Sequence, residues 1–243
     1  MTAHIGYKNV FDDGLTFLDL DESAEQPFAN ALNDDLYSRW QFGTTGSAVV
    51  SIQLDIASNA NYLAIYGHNL DGVSVQIERY NYGYITQHSF VIAGENTVFE
   101  LFQQDYSLRW RITFQGLTGG EYITGLKLGR SLELLPLRAP FTPPDLFDNY
   151  EIINNQSIDS IPLGRVTRKA PFNVKIPQSL ASRAWVDEHI QALADSINKK
   201  PFFFKWDDSR DNACLCWTVK PFKPPVYNNS KFQSFMIDAK GFK

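Results

Sequence analysis

The chain has 243 residues, 44% of them hydrophobic and 20% charged. This composition suits one large or two ordinary folded domains and excludes intrinsic disorder. The formal net charge of −5 is unevenly spread: residues 1–129 hold 6 Lys+Arg against 15 Asp+Glu, and residues 130–243 hold 16 against 12. The halves thus carry −9 and +4, and the basic excess of the second is too thin for sequence-specific nucleic-acid binding.

No apolar run reaches the roughly 18 residues of a membrane-spanning helix, so no membrane insertion is expected. The opening Met-Thr-Ala-His-Ile-Gly lacks a basic stretch leading into an apolar one, so no signal peptide is expected. Eighteen Phe, 11 Tyr and 5 Trp exceed what one small core uses and point to interfaces or a binding face.

In chain order, residues 1–36 read as strand and loop, with turn signals at Asp12-Asp13-Gly14 and Asn33-Asp34-Asp35. Val50, Ile52, Leu54 and Ile56 alternate with Ser51, Gln53 and Asp55, a strand with one wet face. Leu63–Leu70 is predicted to be a buried central strand. Leu63 and Ile65 point one way, Ala64 and Tyr66 the other, and neither face carries a charge. Asp71-Gly72 is a hairpin-type turn. The segments around Val75, Phe99–Phe102, Trp110 and Tyr122–Leu128 read as further strands, with a Tyr-rich loop at Tyr80–Tyr84. Trp110 falls in register with Leu108, Ile112 and Phe114, so it and Trp40 are expected in the core. Short strands at roughly ten-residue spacing predict a β-sandwich or jelly roll over residues 1–135. No helix is predicted before residue 179.

Pro136, Pro140, Pro143 and Pro144 predict an extended linker over 136–149. Residues 150–243 read as a small α+β unit, with strands at Tyr150–Ile153 and Val166–Ile176. Ser179 or Ser182 then caps a helix whose Val186, Ile190, Leu193 and Ile197 form one apolar stripe. Pro201 stops it. Strands follow at Phe202–Trp206, Ala213–Val219 and Lys231–Ala239. Cys214 and Cys216 sit two apart in a strand, about 6.5–7 Å between Cα atoms. That is the limit for a disulfide, and reduced, partly buried thiols are expected. The fold class is thus mainly β: an N-terminal jelly roll and a small α+β domain with one main helix.

No reactive centre assembles from the sequence. His68 is either a general base or a turn histidine whose ring bonds nearby backbone. Asp12, Asp13, Asp34 and Asp35 could hold a cation between two loops or stand as solvated turn acids; their spacing is not that of an EF-hand. No carboxylate pair, phosphate-cradling loop or nucleophile elbow stands out. The chain is therefore not expected to be an enzyme, nor to need a cofactor or metal. Tyr80, Tyr82 and Tyr84, at period two around Gly83, are the candidate contact residues for a glycan or a protein. Their other reading is the outer face of an amphipathic hairpin tip.

Several of these pieces resemble a known family. Residues 7–135 resemble the discoidin-like, galactose-binding-like jelly roll of minor tail proteins of tailed bacteriophages. The resemblance is carried by Asn9-Val10-Phe11-Asp12-Asp13, Ala24, Pro27, Asn30-Ala31-Leu32 and Tyr37-Ser38-Arg39-Trp40. Leu63–Leu70, Arg109-Trp110-Arg111-Ile112 and Tyr122–Gly129 complete it. It implies a domain that docks on proteins or saccharides. From about residue 145, Trp185 and Lys200–Asp207 are similar to the small α+β domains of tail-tip ring proteins such as distal tail proteins, although in those the ring domain usually comes first. The two resemblances together imply a structural virion protein of a long-tailed phage, made in the host cytoplasm. It would form a homo-oligomeric ring at the end of the tail tube, within the baseplate, and dock tube, hub or fibre proteins. The alternative is a carbohydrate-binding protein that recognises host-surface glycans through the jelly roll.

Overall fold

The computed structural model describes every residue except 1, 13, 34, 138–140, 144–149, 157–161, 210–211, 224, 228–230 and 243. Strands β1 (Ala3–Gly6) and β2 (Leu15–Leu20) flank a single 3-10 turn at Val10–Asp12. A four-residue helix, α1 (Ala29–Leu32), follows. It escapes the sequence reading because one turn is too short to display a helical period; buried Phe28 and Ala31 hold it to the core.

The jelly roll continues with β3 (Trp40–Gln41), β4 (Gly46–His68), β5 (Ser74–Tyr80) and β6 (Tyr84–Val91). Strands β7 (Val98–Leu117), β8 (Tyr122–Gly129) and β9 (Ser131–Leu134) complete this half. The two strands expected at 50–56 and 63–70 are one long β4. Its first part pairs with β2 and with the end of β7, its second part with β8 and with the start of β7. The β4–β7 register breaks between Gln53 and Ser58, so the same two strands bend from one layer of the sandwich into the other. Val50, Ile52, Leu63, Ile65, Ile112 and Leu126 meet between the layers. Trp40 and Trp110 are fully buried there, as expected.

The second half comprises β10 (Tyr150–Gln156), β11 (Pro162–Lys169), β12 (Phe172–Ser182) and helix α2 (Arg183–Ile197). It ends with β13 (Phe202–Asp207), β14 (Asn212–Thr218), β15 (Val226–Tyr227) and β16 (Phe232–Phe242). The strand expected over Val166–Ile176 is split before Phe172, where Pro171 offers no ladder donor. Of the two candidate caps, Ser182 accepts the Trp185 N–H at 3.2 Å. Val186, Ile190, Leu193 and Ile197 are all buried. They cover one face of a sheet ordered β12-β16-β14-β13-β1-β9.

That order crosses the division drawn at residue 135. Strands β1 and β9 belong to the sheet completed by residues 172–242: Ile5 pairs with Phe204 on one side and Leu132 on the other. Of the described residues in 136–149, Leu137 and Phe141 pack on the core beneath α2.

The opposite face of this sheet meets the jelly roll. Phe203, Ala213 and Leu215 pack against Tyr62, Ala64 and Phe99. The charge-free pattern of Leu63–Tyr66 now has its cause: Leu63 and Ile65 fill the sandwich, while Tyr62 and Ala64 fill the seam. The seam also holds polar links. Buried Lys205 Nζ donates to the Phe99 carbonyl at 3.1 Å, Lys200 pairs with Asp12 at 2.7 Å, and Ser196 Oγ donates to the Tyr7 carbonyl at 2.5 Å. Cys214 and Cys216 point to the α2 side of the sheet, both free and buried, with sulfurs 3.3 Å apart.

Candidate functional site

The three tyrosines lie on the β5–β6 hairpin, where Tyr80 pairs with Tyr84 across a three-residue loop. They do not form one flat platform. Tyr80 and Tyr84 meet edge to face, with ring centroids 5.4 Å apart. Arg111 lies over the Tyr84 ring at 3.8 Å and Arg109 over the Tyr80 ring at 4.9 Å, cation–π contacts that hold both rings to the sheet. The Tyr84 hydroxyl and Ser51 Oγ are 2.6 Å apart.

Tyr82 alone stands clear at the tip, with its side chain fully exposed and φ at 55°. That left-handed backbone costs an ordinary L-residue about 1–2 kcal/mol, which glycine avoids and asparagine reduces. Asn81 N–H donates to the Gly83 carbonyl at 2.8 Å and closes the loop beneath it.

Behind the hairpin, the outer face of the layer is polar. Ser51, Arg111, Glu78 and Thr86 stand in one cross-strand row. Arg111 Nε–H donates to Glu78 at 2.5 Å, and Arg109 Nε–H donates to Gln53 at 2.8 Å. Glu78 beside it raises the Arg111 pKa. In sequence, Ser51 and Gln53 mark the wet face of one alternating strand, and Arg109 and Arg111 only flank the core residue Trp110. Their meeting with Tyr80 and Tyr84 depends on cross-strand register, which alternation does not disclose.

The other candidates separate. His68 is the backbone-bonding turn histidine: Nδ1 accepts the Leu70 N–H at 3.2 Å, and Nε2 lies 2.8 Å from the Asn96 carbonyl. The first requires a bare Nδ1 and the second a protonated Nε2, so the ring is held neutral. Burial pushes its pKa below the ordinary value, and the Asn96 carbonyl offsets part of that. Of the four aspartates, Asp13 and Asp34 lie outside the described residues. Asp12 pairs with Lys200, and Asp35 accepts the Tyr37 N–H at 2.9 Å. Among the described residues no cluster of three or more His, Cys, Asp or Glu is placed to hold a metal, and no helix is long and apolar enough to cross a membrane. A cleft of about 490 Å³ lies on the second sheet, lined in part by Pro177, Phe222, Val226 and Met236.

No protein-family model matches the chain, and no curated protein matches it. Among solved structures, it is similar to the family 32 carbohydrate-binding module of Clostridium perfringens NanJ in complex with galactose. That alignment has 15% identity and a TM-score of 0.43, over 53% of this chain and 99% of the module. It is also similar to the corresponding module of AlyQ in complex with 4,5-unsaturated mannuronic acid, at 17% identity and TM-score 0.39, over 53% and 97%. The paired modules of Clostridium perfringens ZmpB, in complex with GalNAc, align at 15% identity and TM-score 0.40, over 47% of this chain and 32% of theirs. The chain therefore spans about a third of that last structure.

Proposed function

We propose that this protein is a non-catalytic recognition protein that binds carbohydrate through the tip of the β5–β6 hairpin. One observation carries the reading: an aromatic ring held wholly in solvent on a left-handed backbone, on a hairpin pinned by Arg109, Arg111 and Ser51. Strain kept at an exposed residue is a signature of use rather than of stability. The chemistry suits a sugar. A pyranose offers an apolar C–H face for the ring and hydroxyls for the amide and guanidinium groups behind it. A glycan array with the full chain, repeated with Tyr82→Ala, tests it. Saturable binding lost in the variant supports the reading; no binding by the parent chain, or equal binding by both, overturns it.

A second reading, a ring-forming subunit of a long-tailed phage tail tip that docks tube, hub or fibre proteins, is favoured by a different feature. Strands β10 and β11 form a two-stranded sheet of their own. Tyr150, Ile152, Ile153 and Val166 on it are all exposed. Ile152 and Ile153 are successive, so both faces of this ribbon carry apolar groups. A lone two-stranded ribbon is marginal in water, and a neighbouring copy would cover it. Mass photometry across protein concentration tests this reading. A closed oligomer abolished by Ile152→Lys with Ile153→Lys supports it; a monomer at all concentrations, also when mixed with tail tubes, overturns it.

A further inference from the structure

The second sheet has a gap in its ladder. Along one side of β16, β14 pairs as far as Thr218 opposite Ala239. Val219 N–H adds one more bond there, to the Asp238 carbonyl at 3.1 Å. Farther along the same side, β15 pairs only with Gln233 and Ser234. Residues of an antiparallel ladder turn their N–H and C=O alternately to one neighbour and the other. Met236 lies two residues from Asp238, so its N–H and C=O face the gap between β14 and β15. Its opposite number on β12 is Pro177, which has no N–H to exchange. Among the described residues nothing bonds the Met236 backbone groups across the gap.

The connection that could fill the gap is drawn away from it. Lys220-Pro221-Phe222-Lys223-Pro224-Pro225 contains three prolines, which offer no N–H to a ladder. Phe222 N–H donates to Asn198 Oδ1 at the end of α2, at 2.7 Å. The Phe222 ring meets Phe235 edge to face at 5.6 Å, and Phe235 belongs to the core beneath α2. The loop is thus anchored on the helix side of the sheet. What remains is the cleft of about 490 Å³, in which Met236 lies between Pro177 and Val226. From Asp238 to Ser234 the open stretch spans roughly 13 Å of strand, the length of a short extended segment.

The lining selects the ligand. Met236 and Val226 are exposed and offer an apolar seat beside the open backbone groups. Lys220 and Lys223 stand on the rim, both exposed, and neither has an ion-pair partner among the described residues. Asp238, the one acid of the lining, lies across the ladder from Lys175. The surplus is therefore positive. We propose that this gap binds an extended acidic peptide, which adds a short strand between β14 and β15. Its backbone would exchange hydrogen bonds with Met236, one apolar side chain would rest on Pro177, Met236 and Val226, and its carboxylates would meet Lys220 and Lys223. The site shares no residue with the β5–β6 hairpin or the β10–β11 ribbon, and it stands independently of both.

The test is calorimetry and NMR titration of the full chain with the probe acetyl-Glu-Leu-Glu-Val-Glu-amide. Two controls are the same peptide with Lys for every Glu and the same peptide N-methylated at its central residue. Saturable binding of the acidic probe is expected, and little of the lysine one. N-methylation removes the donor for the Met236 carbonyl and should weaken binding about tenfold, the scale of one lost hydrogen bond. Lys220→Glu with Lys223→Glu should weaken it at least tenfold at unchanged Tm, because both positions are exposed. Tyr82→Ala should leave it intact. The proposal is overturned if the acidic probe does not bind, if the lysine or N-methylated peptide binds as tightly, if the double lysine variant binds as tightly as the parent chain, or if Tyr82→Ala abolishes binding.

Discussion

Gly6→Ala is the sharpest probe of how the two halves are joined. Gly6 lies on β1, in the second sheet, but its missing side chain faces the jelly roll. A methyl built there would sit 2.6 Å and 2.7 Å from Tyr62 ring atoms and 2.9 Å from a Phe99 ring atom. The rings have little room to yield. They stack on each other at 5.0 Å, Tyr62 is fully buried, and its hydroxyl donates to the Lys8 carbonyl at 2.8 Å. Overpacking of this kind costs about 1–3 kcal/mol. Against it stands a gain of about 0.4–1 kcal/mol, because alanine restricts the unfolded chain and the backbone here is not left-handed. The net expectation is a loss of about 1–2 kcal/mol, which lowers Tm by about 2–8 °C for a chain of this size. Calorimetry and urea unfolding of the two proteins measure it. In a Tyr62→Leu background the penalty should shrink, because two of the three close ring atoms are gone and Phe99, at 2.9 Å, loses the ring stacked on it and gains room to shift. A Gly6→Ala protein as stable as the parent would refute the packing argument at the seam.

Three further outcomes are expected. Tyr82→Gly should leave stability equal or raise it by up to about 1 kcal/mol, since the left-handed backbone is relieved, while sugar binding is lost; a clear fall in urea midpoint would remove the strain argument. The His68 pKa is held below the ordinary histidine value of about 6.5 by burial, so its contribution to stability is complete above that pH. It drains as the pH falls from 6.5 through the folded-state value, where the unfolded chain takes the proton first. The parent chain should therefore lose urea midpoint more steeply between pH 7 and pH 5 than His68→Gln, and parallel profiles would contradict this. Finally, Cys214 and Cys216 should resist a thiol reagent in the native protein and both react once it is unfolded. Burial pushes the Cys216 thiol well above its ordinary range, and rapid native labelling would show that the sheet opens there.

Local pattern disclosed what local forces decide. The stripe Val186, Ile190, Leu193, Ile197 and the Ser182 cap were legible because a helix's contacts repeat every few residues. Leu63–Tyr66 disclosed burial on both faces but not what covers the second one. The partners Phe203 and Leu215 lie some 140–150 residues away, and pairing at that distance leaves no trace in alternation. The same limit hid β1, whose four residues contain a histidine and a glycine and look like a frayed start. At the candidate sites the sequence singled out Tyr80, Tyr82 and Tyr84 but could not say that two are covered by arginine and one is bare.

The pairing of Ile5 with Phe204 sets a clock on biogenesis. Roughly 200 residues separate the partners, so at translation rates of about 5–20 residues per second the first strand waits about 10–40 s for its mate. During that interval β1 presents an open ladder edge, the kind of surface through which nascent chains stick to one another. Any protein ending before residue 202 keeps that edge for good, so a half-length product is expected to aggregate even though its jelly-roll core is complete.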